Sequence, residues 1–230
     1  MVARCHCCGA LCRIWSDVLT SADVREVTLL GLLDLSLAFD CVDHVILLHG
    51  LEVAFGLTNT AHEWIRSFLT DRTQQVSYCG HLLPIQRVLF GVPQGSVLGP
   101  LLYVLYTVEL ELIVVRHCLR LHVYADDCQV YLNTSVEDVS LAVSKFAACV
   151  ADINAWLSAC RLRLNAAKTQ LLWLGSSQLV DRIDCHDVLV LGTRIAILDT
   201  ARDLGVVIDR ELLLAAHVTA VCSSGCNQLC

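Results

Sequence analysis

Two runs of alternating residues meet at Tyr124-Ala125-Asp126-Asp127, and no other stretch limits the fold as much. Leu119, Leu121 and Val123 alternate with Arg120, His122 and Tyr124 before it; Cys128, Val130 and Leu132 alternate with Gln129, Tyr131 and Asn133 after it. Period two on either side of a short polar break predicts a β-hairpin, because successive strand residues face opposite sides of a sheet. The hairpin sets two adjacent carboxylates at or beside its tip. Asp is a common turn residue that bonds its own backbone, so a solvated turn is one reading. Against it, Tyr124 is no turn former and the flanks are apolar enough for a core. Carboxylates held close on a rigid hairpin repel unless one keeps its proton or a cation lies between them. The pair reads either as a turn or as a site of raised pKa or bound metal.

The rest of the chain supplies a core for such a hairpin. Of its 230 residues 56% are hydrophobic, which excludes disorder and allows one large domain or two small ones. The longest apolar run, Val97 to Val108, is ended by Glu109 and Glu111. It falls short of the about 20 residues that a span needs, so no membrane segment is expected. Met1 to Cys12 holds no apolar stretch of signal-peptide length, and an intracellular chain is expected. A net charge of −7 argues against strong unaided nucleic-acid binding, which calls for a basic surface. The 14 Cys are scattered through apolar segments, as at Cys41, Cys118, Cys128 and Cys149, and read as small buried hydrophobes in a reducing compartment. Cys5-His6-Cys7-Cys8 with Cys12 offers zinc-type ligands, but no second pair comes after it at finger spacing. Cys222, Cys226 and Cys230 form a stripe at helical spacing.

Taken in order, residues 1–16 show no pattern and 17–26 read as helix or loop. Val27 to Leu33 is continuously apolar, as a strand buried on both faces would be, and ends in Asp34. A charge there needs partners; it either caps the next element or serves a site. Val45, Leu47, Leu48 and Leu51 predict a helix. Thr60-Ala-His-Glu63 reads as a capping box opening a helix that buries Trp64, Ile65, Phe68 and Leu69. Strands are expected over 72–78 and 85–92, joined around Gly80. Gly91-Val-Pro-Gln-Gly-Ser-Val-Leu-Gly-Pro100 lacks the Gly-Lys-Ser/Thr of a phosphate loop, and reads as the entrance of a helix over 101–114 where a ligand can approach backbone. Val139, Val143, Phe146, Val150, Ile153 and Leu157 form one apolar stripe on a long helix. Strands come next over 169–174, 188–197 and 204–208, then a helix over 211–229. No linker marks a domain boundary.

Three punctuated stretches, Leu33-Asp-Leu-Ser-Leu-Ala-Phe-Asp-Cys-Val-Asp-His44, Gly91 to Leu102 and Tyr124-Ala-Asp-Asp127, stand in an order and at separations that closely resemble the reverse transcriptases of non-LTR (LINE-type) retrotransposons. Arg163-Leu-Asn-Ala-Ala-Lys-Thr169 is similar to that family's next motif, and Asp203-Leu-Gly-Val-Val-Ile-Asp209 to the grip after it. The resemblance covers nearly everything from residue 13 onward.

The resemblance implies an α+β fold: a right-hand polymerase palm over 27–210, its antiparallel sheet holding the 27–33 strand beside the hairpin, with helices on one face. Residues 1–26 would be a ragged remnant of the connection from the fingers, and 211–230 the start of a thumb connection. Fingers and thumb would be largely missing. The implied activity is RNA-directed DNA polymerisation: nucleotidyl transfer from a dNTP to a primer 3′-hydroxyl, with an RNA template and a DNA primer as partners, no membrane, and the nucleus as location. Two-metal synthesis needs carboxylates that hold cations about 4 Å apart. By resemblance Asp34 and Asp126 bridge the metals, within about 6 Å of each other, and Asp127 supports them. Mg²⁺ is the expected ion, with Mn²⁺ possible, because Mg²⁺ favours carboxylates with substrate phosphates. Phe39 is similar to a steric gate against a ribose 2′-hydroxyl; read alone it is a core Phe. Gln94 and Gly95 resemble the lining of the incoming nucleotide and template base. Lys168 resembles the lysine that approaches the triphosphate and protonates leaving pyrophosphate; read alone it is a turn lysine. Leu37 and Cys41 depart from the smaller or hydroxylated residues expected there. Without fingers and thumb the chain is expected not to polymerise efficiently alone. The alternative is a catalytically silent, truncated or domesticated remnant that serves at most as a folded scaffold.

Overall fold

The computed structural model describes residues 6–36, 38–93 and 95–229, without the side chains of 6–12 and 224–229. In order, the elements are α1 (His6–Asp23), β1 (Val27–Ser36), α2 (His44–Phe55), α3 (Asn59–Leu69), β2 (Thr73–Gln74), β3 (Ser77–Tyr78), β4 (His81–Leu82) and β5 (Gln86–Arg87). They continue with α4 (Leu98–Tyr106), α5 (Glu109–Arg116), β6 (Arg120–Tyr124), β7 (Asp127–Thr134), α6 (Val139–Ala159), β8 (Arg163–Leu164) and β9 (Gln170–Leu174). Last come α7 (Ser177–Val180), β10 (Asp187–Val190), β11 (Thr193–Ala196), β12 (Thr200–Asp203), β13 (Val206–Asp209) and α8 (Ala215–Leu229). The chain divides into two compact units, residues 1–34, 111–154 and 164–230 in one, 35–110 and 155–163 in the other. Each is assembled from separate segments, which a search for linkers does not reveal.

The first unit is built on β1. It pairs antiparallel with β7 on one side and β9 on the other, and β6 adds to β7; the sheet order is β6-β7-β1-β8, with β9 also on β1. A strand with neighbours on both edges and cover on both faces must be apolar throughout, and Val27, Leu29, Leu30 and Leu33 are all buried. One face, carrying Leu30, Tyr131, Leu172 and Leu174, packs under Ile14 and Val18 of α1 and Ala201 and Ile208 of the β12–β13 hairpin. The other receives α6: a Cβ at Gly31 would lie 2.3 Å from Cζ of Phe146. Glycine in mid-strand here marks close approach of a helix. Helices thus cover both faces, correcting the expectation of one. The cause is α1, a helix where residues 1–16 showed no pattern.

The second unit holds α2, α3, α4 and a nested ribbon in which β2 pairs with β5 and β3 with β4. The strands expected over 72–78 and 85–92 are therefore real but short. Residues 39–44 meet Gly91 and Val92 here. Gly91 N donates to Val42 O, Val92 N donates to Phe39 O, and His44 Nε2 lies 2.8 Å from Gly91 O. Two expectations are corrected. Thr60 is inside α3, whose N-cap is Thr58, without a side-chain bond. Trp64 is exposed rather than core, since α3 buries only His62, Ile65 and Leu69. By length and composition alone two stretches are long and apolar enough to cross a membrane: Leu98–Arg116, which comprises α4, a turn and α5, and the helix Val139–Ala159. The turn between α4 and α5 falls just before Glu109, where the apolar run was expected to end. Buried core helices pass the same test, and α6 buries Phe146, Val150, Ile153 and Leu157.

Candidate active site

Residues directly opposite on neighbouring strands share a face of the sheet, and the register of β1 with β7 sets Asp34 opposite Asp127. The hairpin closes through Ala125 and Asp126, with Tyr124 paired to Asp127 and Ala125 at φ 55°. Asp127, rather than Asp126, therefore faces Asp34 across the strands, and Asp126 lies one residue back in the turn. Past β8, Asn165 N donates to the backbone O of Asp34 at 2.9 Å. That turn brings Lys168 round until Nζ is 3.4 Å from Asp34 Oδ2. The contact is an ion pair without hydrogen-bond alignment: Oδ2 is buried and has no hydrogen-bond partner. The Lys168 side chain stays mostly in water, 67% exposed.

Asp34, Asp127 and Lys168 line a cleft of about 470 Å³ in the first unit, together with Gln129, Gln170 and Asp203. Carboxylates crowd it. Desolvation pushes the Asp127 carboxyl above its ordinary value, and the charges of Asp126, Asp203 and Asp34 add to that. Burial also pushes Asp203 up, against a hydrogen bond from Gln129 that favours the charged form. That bond, Gln129 Nε2 to Asp203 Oδ2 at 2.5 Å, is buried. The remaining amide oxygen of Gln129, and that of Gln170, are buried without partners. Unsatisfied buried acceptors beside a cleft are poised to take a donor from a ligand or water.

Asp203 and Gln129 were not singled out from sequence. Asp203 opens the segment similar to the family's grip. Gln129 falls on the polar side of the hairpin's alternation, which assumes a solvated face; the cover of α1 and β12–β13 leaves it 1% exposed. The other expected site residues lie in the second unit. Phe39 stacks on Tyr103, centroids 4.6 Å apart and planes at 28°. Gly95 is exposed at φ 80°, in the left-handed region that favours glycine, in the turn before α4. Gln94 lies outside the described residues. Nearby, Ser96 Oγ accepts from Gly99 N and donates to Pro93 O, so this turn caps α4. The cysteine clusters fall wholly or partly among side chains that the structure does not describe. Burial pushes the thiols of Cys128 and Cys149 up to about 12, as suits inert core residues.

Among the described residues no three His, Cys, Asp or Glu side chains form a ready metal cage. Mg²⁺ does not require one, because it binds through one or two carboxylates and keeps waters or substrate phosphates as its other ligands. The donor set fits such an ion: hard carboxylate oxygens, one of them buried without a hydrogen bond.

In fold, the chain is similar to an apo telomerase from Candida tropicalis truncated from its C-terminal domain, with a TM-score of 0.58 at 16% identity over 93% of this chain and 40% of that one. The family model for reverse transcriptase (RNA-dependent DNA polymerase) matches residues 11–195, and the chain belongs to that family. Among its relatives are the RNA-directed DNA polymerase from mobile element jockey of Drosophila melanogaster, 28% identical over 91% of this chain, and the probable RNA-directed DNA polymerase from transposon X-element of the same fly, 28% identical over 94%. The LINE-type resemblance read from the motifs agrees with these relatives. The chain spans 22% and 23% of their lengths.

Proposed function

We propose that the sheet of the first unit is a polymerase palm and that its cleft serves RNA-directed DNA synthesis, joining a dNTP to a primer 3′-hydroxyl on an RNA template. The supporting observation is the opposition of Asp34 and Asp127 at the end of β1, with Asp126 and Asp203 close enough to raise Asp127. Such an excess of carboxylate charge is costly in a fold unless it serves a cation. Asp34, Asp127 and Asp126 would hold Mg²⁺ or Mn²⁺, which when bound activates the attacking hydroxyl and steadies the leaving pyrophosphate. Lys168, paired with Asp34 Oδ2, exchanges that partner for a triphosphate when a cation takes the carboxylate; its mobile, solvated stem suits the exchange. Phe39, with its ring orientation fixed by the stack on Tyr103, would crowd a 2′-hydroxyl. Gln94 and Gly95 would line the template base.

Two measurements test this. Mn²⁺ titration of the 230-residue chain is expected to show binding that Asp34→Asn weakens at least tenfold, the size of effect that corresponds to about 1.4 kcal/mol. With the chain exchanged for the matching segment of the jockey polymerase, primer extension on RNA is expected to occur and to be lost with Asp34→Asn. Equal Mn²⁺ affinity in wild type and variant would remove the site assignment.

A further inference from the structure

Asp34 and Asp127 face each other across β1 and β7, and the next row of the same face lies two residues further from the turn. There Leu32 of β1 is opposite Gln129 of β7. Gln170 of β9 stands on the other side of Leu32, and His122 of β6 stands beyond Gln129. Each of the three polar side chains in this row ends in a buried atom without a hydrogen-bond partner among the described residues: His122 Nδ1, Gln129 Oε1 and Gln170 Oε1. Gln129 is 1% exposed, and its Nε2 holds the buried carboxylate of Asp203. Gln129, Gln170 and Asp203 all line the cleft. Buried acceptors left without a donor are costly and rare in folded chains, and an ion or ordered water is what usually accounts for them. The cleft's own cations do not fill the need. Lys168 is paired with Asp34, and Arg202 alternates with Asp203 along β12, on its exposed side. The donor set also selects the ion. Two neutral amide oxygens and one carboxylate bring a single negative charge, whereas Mg²⁺ keeps its waters and prefers carboxylates with phosphates. Carbonyl oxygens replace the hydration shell of K⁺.

We propose that Gln129, Gln170 and Asp203 form a monovalent-cation site, suited to K⁺, one row behind the carboxylates of Asp34 and Asp127. Bound there, K⁺ offsets the charge of Asp203 and ties β7, β9 and the β12–β13 hairpin together. Asp34 is not among its ligands. The test is thermal melting of the 230-residue chain in chelator, with K⁺ replacing tetramethylammonium at constant ionic strength, both as nitrates. Tetramethylammonium is too bulky for the site and donates no hydrogen bond. K⁺ at about ten times its Kd is expected to raise the melting temperature by about 3–5 °C. Gln170→Leu, which keeps the bulk and removes an acceptor, and Asp203→Asn are each expected to lose most of that rise. Asp34→Asn is expected to keep it while losing Mn²⁺ binding, so the two sites fail separately. A second measurement needs no variant: thallous ion is expected to give a bound signal in thallium NMR that K⁺ displaces and tetramethylammonium does not. Equal melting in the two salts, a full rise kept in Gln170→Leu or Asp203→Asn, or no thallium signal that K⁺ displaces overturns the site and leaves the orphaned oxygens to water. If wild type fails to bind Mn²⁺ while its response to K⁺ still depends on Gln170, the divalent reading falls and the monovalent site stands.

Discussion

A carboxyl whose pKa rises on folding destabilises the folded chain once it ionises. For Asp127 the rise from the ordinary value of 3.8 comes from desolvation and from Asp126, Asp203 and Asp34. Between the unfolded and folded pKa the native state binds more protons, so stability falls as pH rises through that window. Asp127→Asn removes the charge and keeps the shape. In chelator, its melting temperature is expected to exceed that of wild type at pH 7, with the gap closing as pH falls to about 4. No gap at pH 7 would mean that the surrounding carboxylates do not repel Asp127 in solution. Phe39 makes a second residue-scale case. Phe39→Val in the jockey frame is expected to raise ribonucleotide incorporation with little loss of deoxynucleotide incorporation; unchanged sugar discrimination would leave Phe39 as a packing partner of Tyr103. At this scale the sequence singled out Asp34, Asp127 and Lys168, which the fold brings to one cleft, because motif spacing survives in a linear string. It hid the Gln129–Asp203 bond, because 74 residues separate the partners and only the fold reveals that both are buried.

At the scale of elements, alternation and apolar runs placed β1, the β6–β7 hairpin, α6 and β9 well. These are long and lie in one sheet or against it. The ends were harder to place. Helix starts read from residue types alone chose Thr60 for α3, which no side chain caps, and passed over Asp43, which caps α2 by accepting from Val45 N and Ile46 N at 2.8 and 3.1 Å and is buried. Its second oxygen meets Arg161 at 2.8 Å. Asp43→Ala is expected to cost about 1–2 kcal/mol in urea unfolding, and Thr60→Ala less than about 0.5 kcal/mol. Comparable losses would restore Thr60 as a cap. Gly31 carries the other element-scale prediction. A methyl there collides with the ring of Phe146, so Gly31→Ala is expected to cost about 1–3 kcal/mol. Adding Phe146→Leu should recover part of that loss, since the smaller side chain vacates the collision. Additive losses in the double variant would show that Gly31 is needed for backbone reasons rather than for the approach of α6.

Across the whole molecule, the five motifs belong to two units that the chain enters and leaves more than once. Tyr124 to Asp127 and Asp203 lie in one, residues 91–102 in the other, and the 33–44 segment is divided between them after Asp34. No composition shift could show this, because the crossings fall inside regular elements: β1 and α6 each carry residues of both units. A unit that lacked the end of β1 or the end of α6 would lose core residues such as Leu35 and Leu157. The two units are therefore expected to unfold together. Divalent ions provide the test, since a ligand that binds only the native state stabilises it by about 2.7 kcal/mol at a hundred times its Kd. For a chain of this length that corresponds to roughly 5–10 °C. Mn²⁺ is expected to move a single calorimetric transition upward by that amount in wild type, and to leave the Asp34→Asn transition in place. Two transitions, with only one responding to Mn²⁺, would mean that the continuity of β1 and α6 does not couple the units.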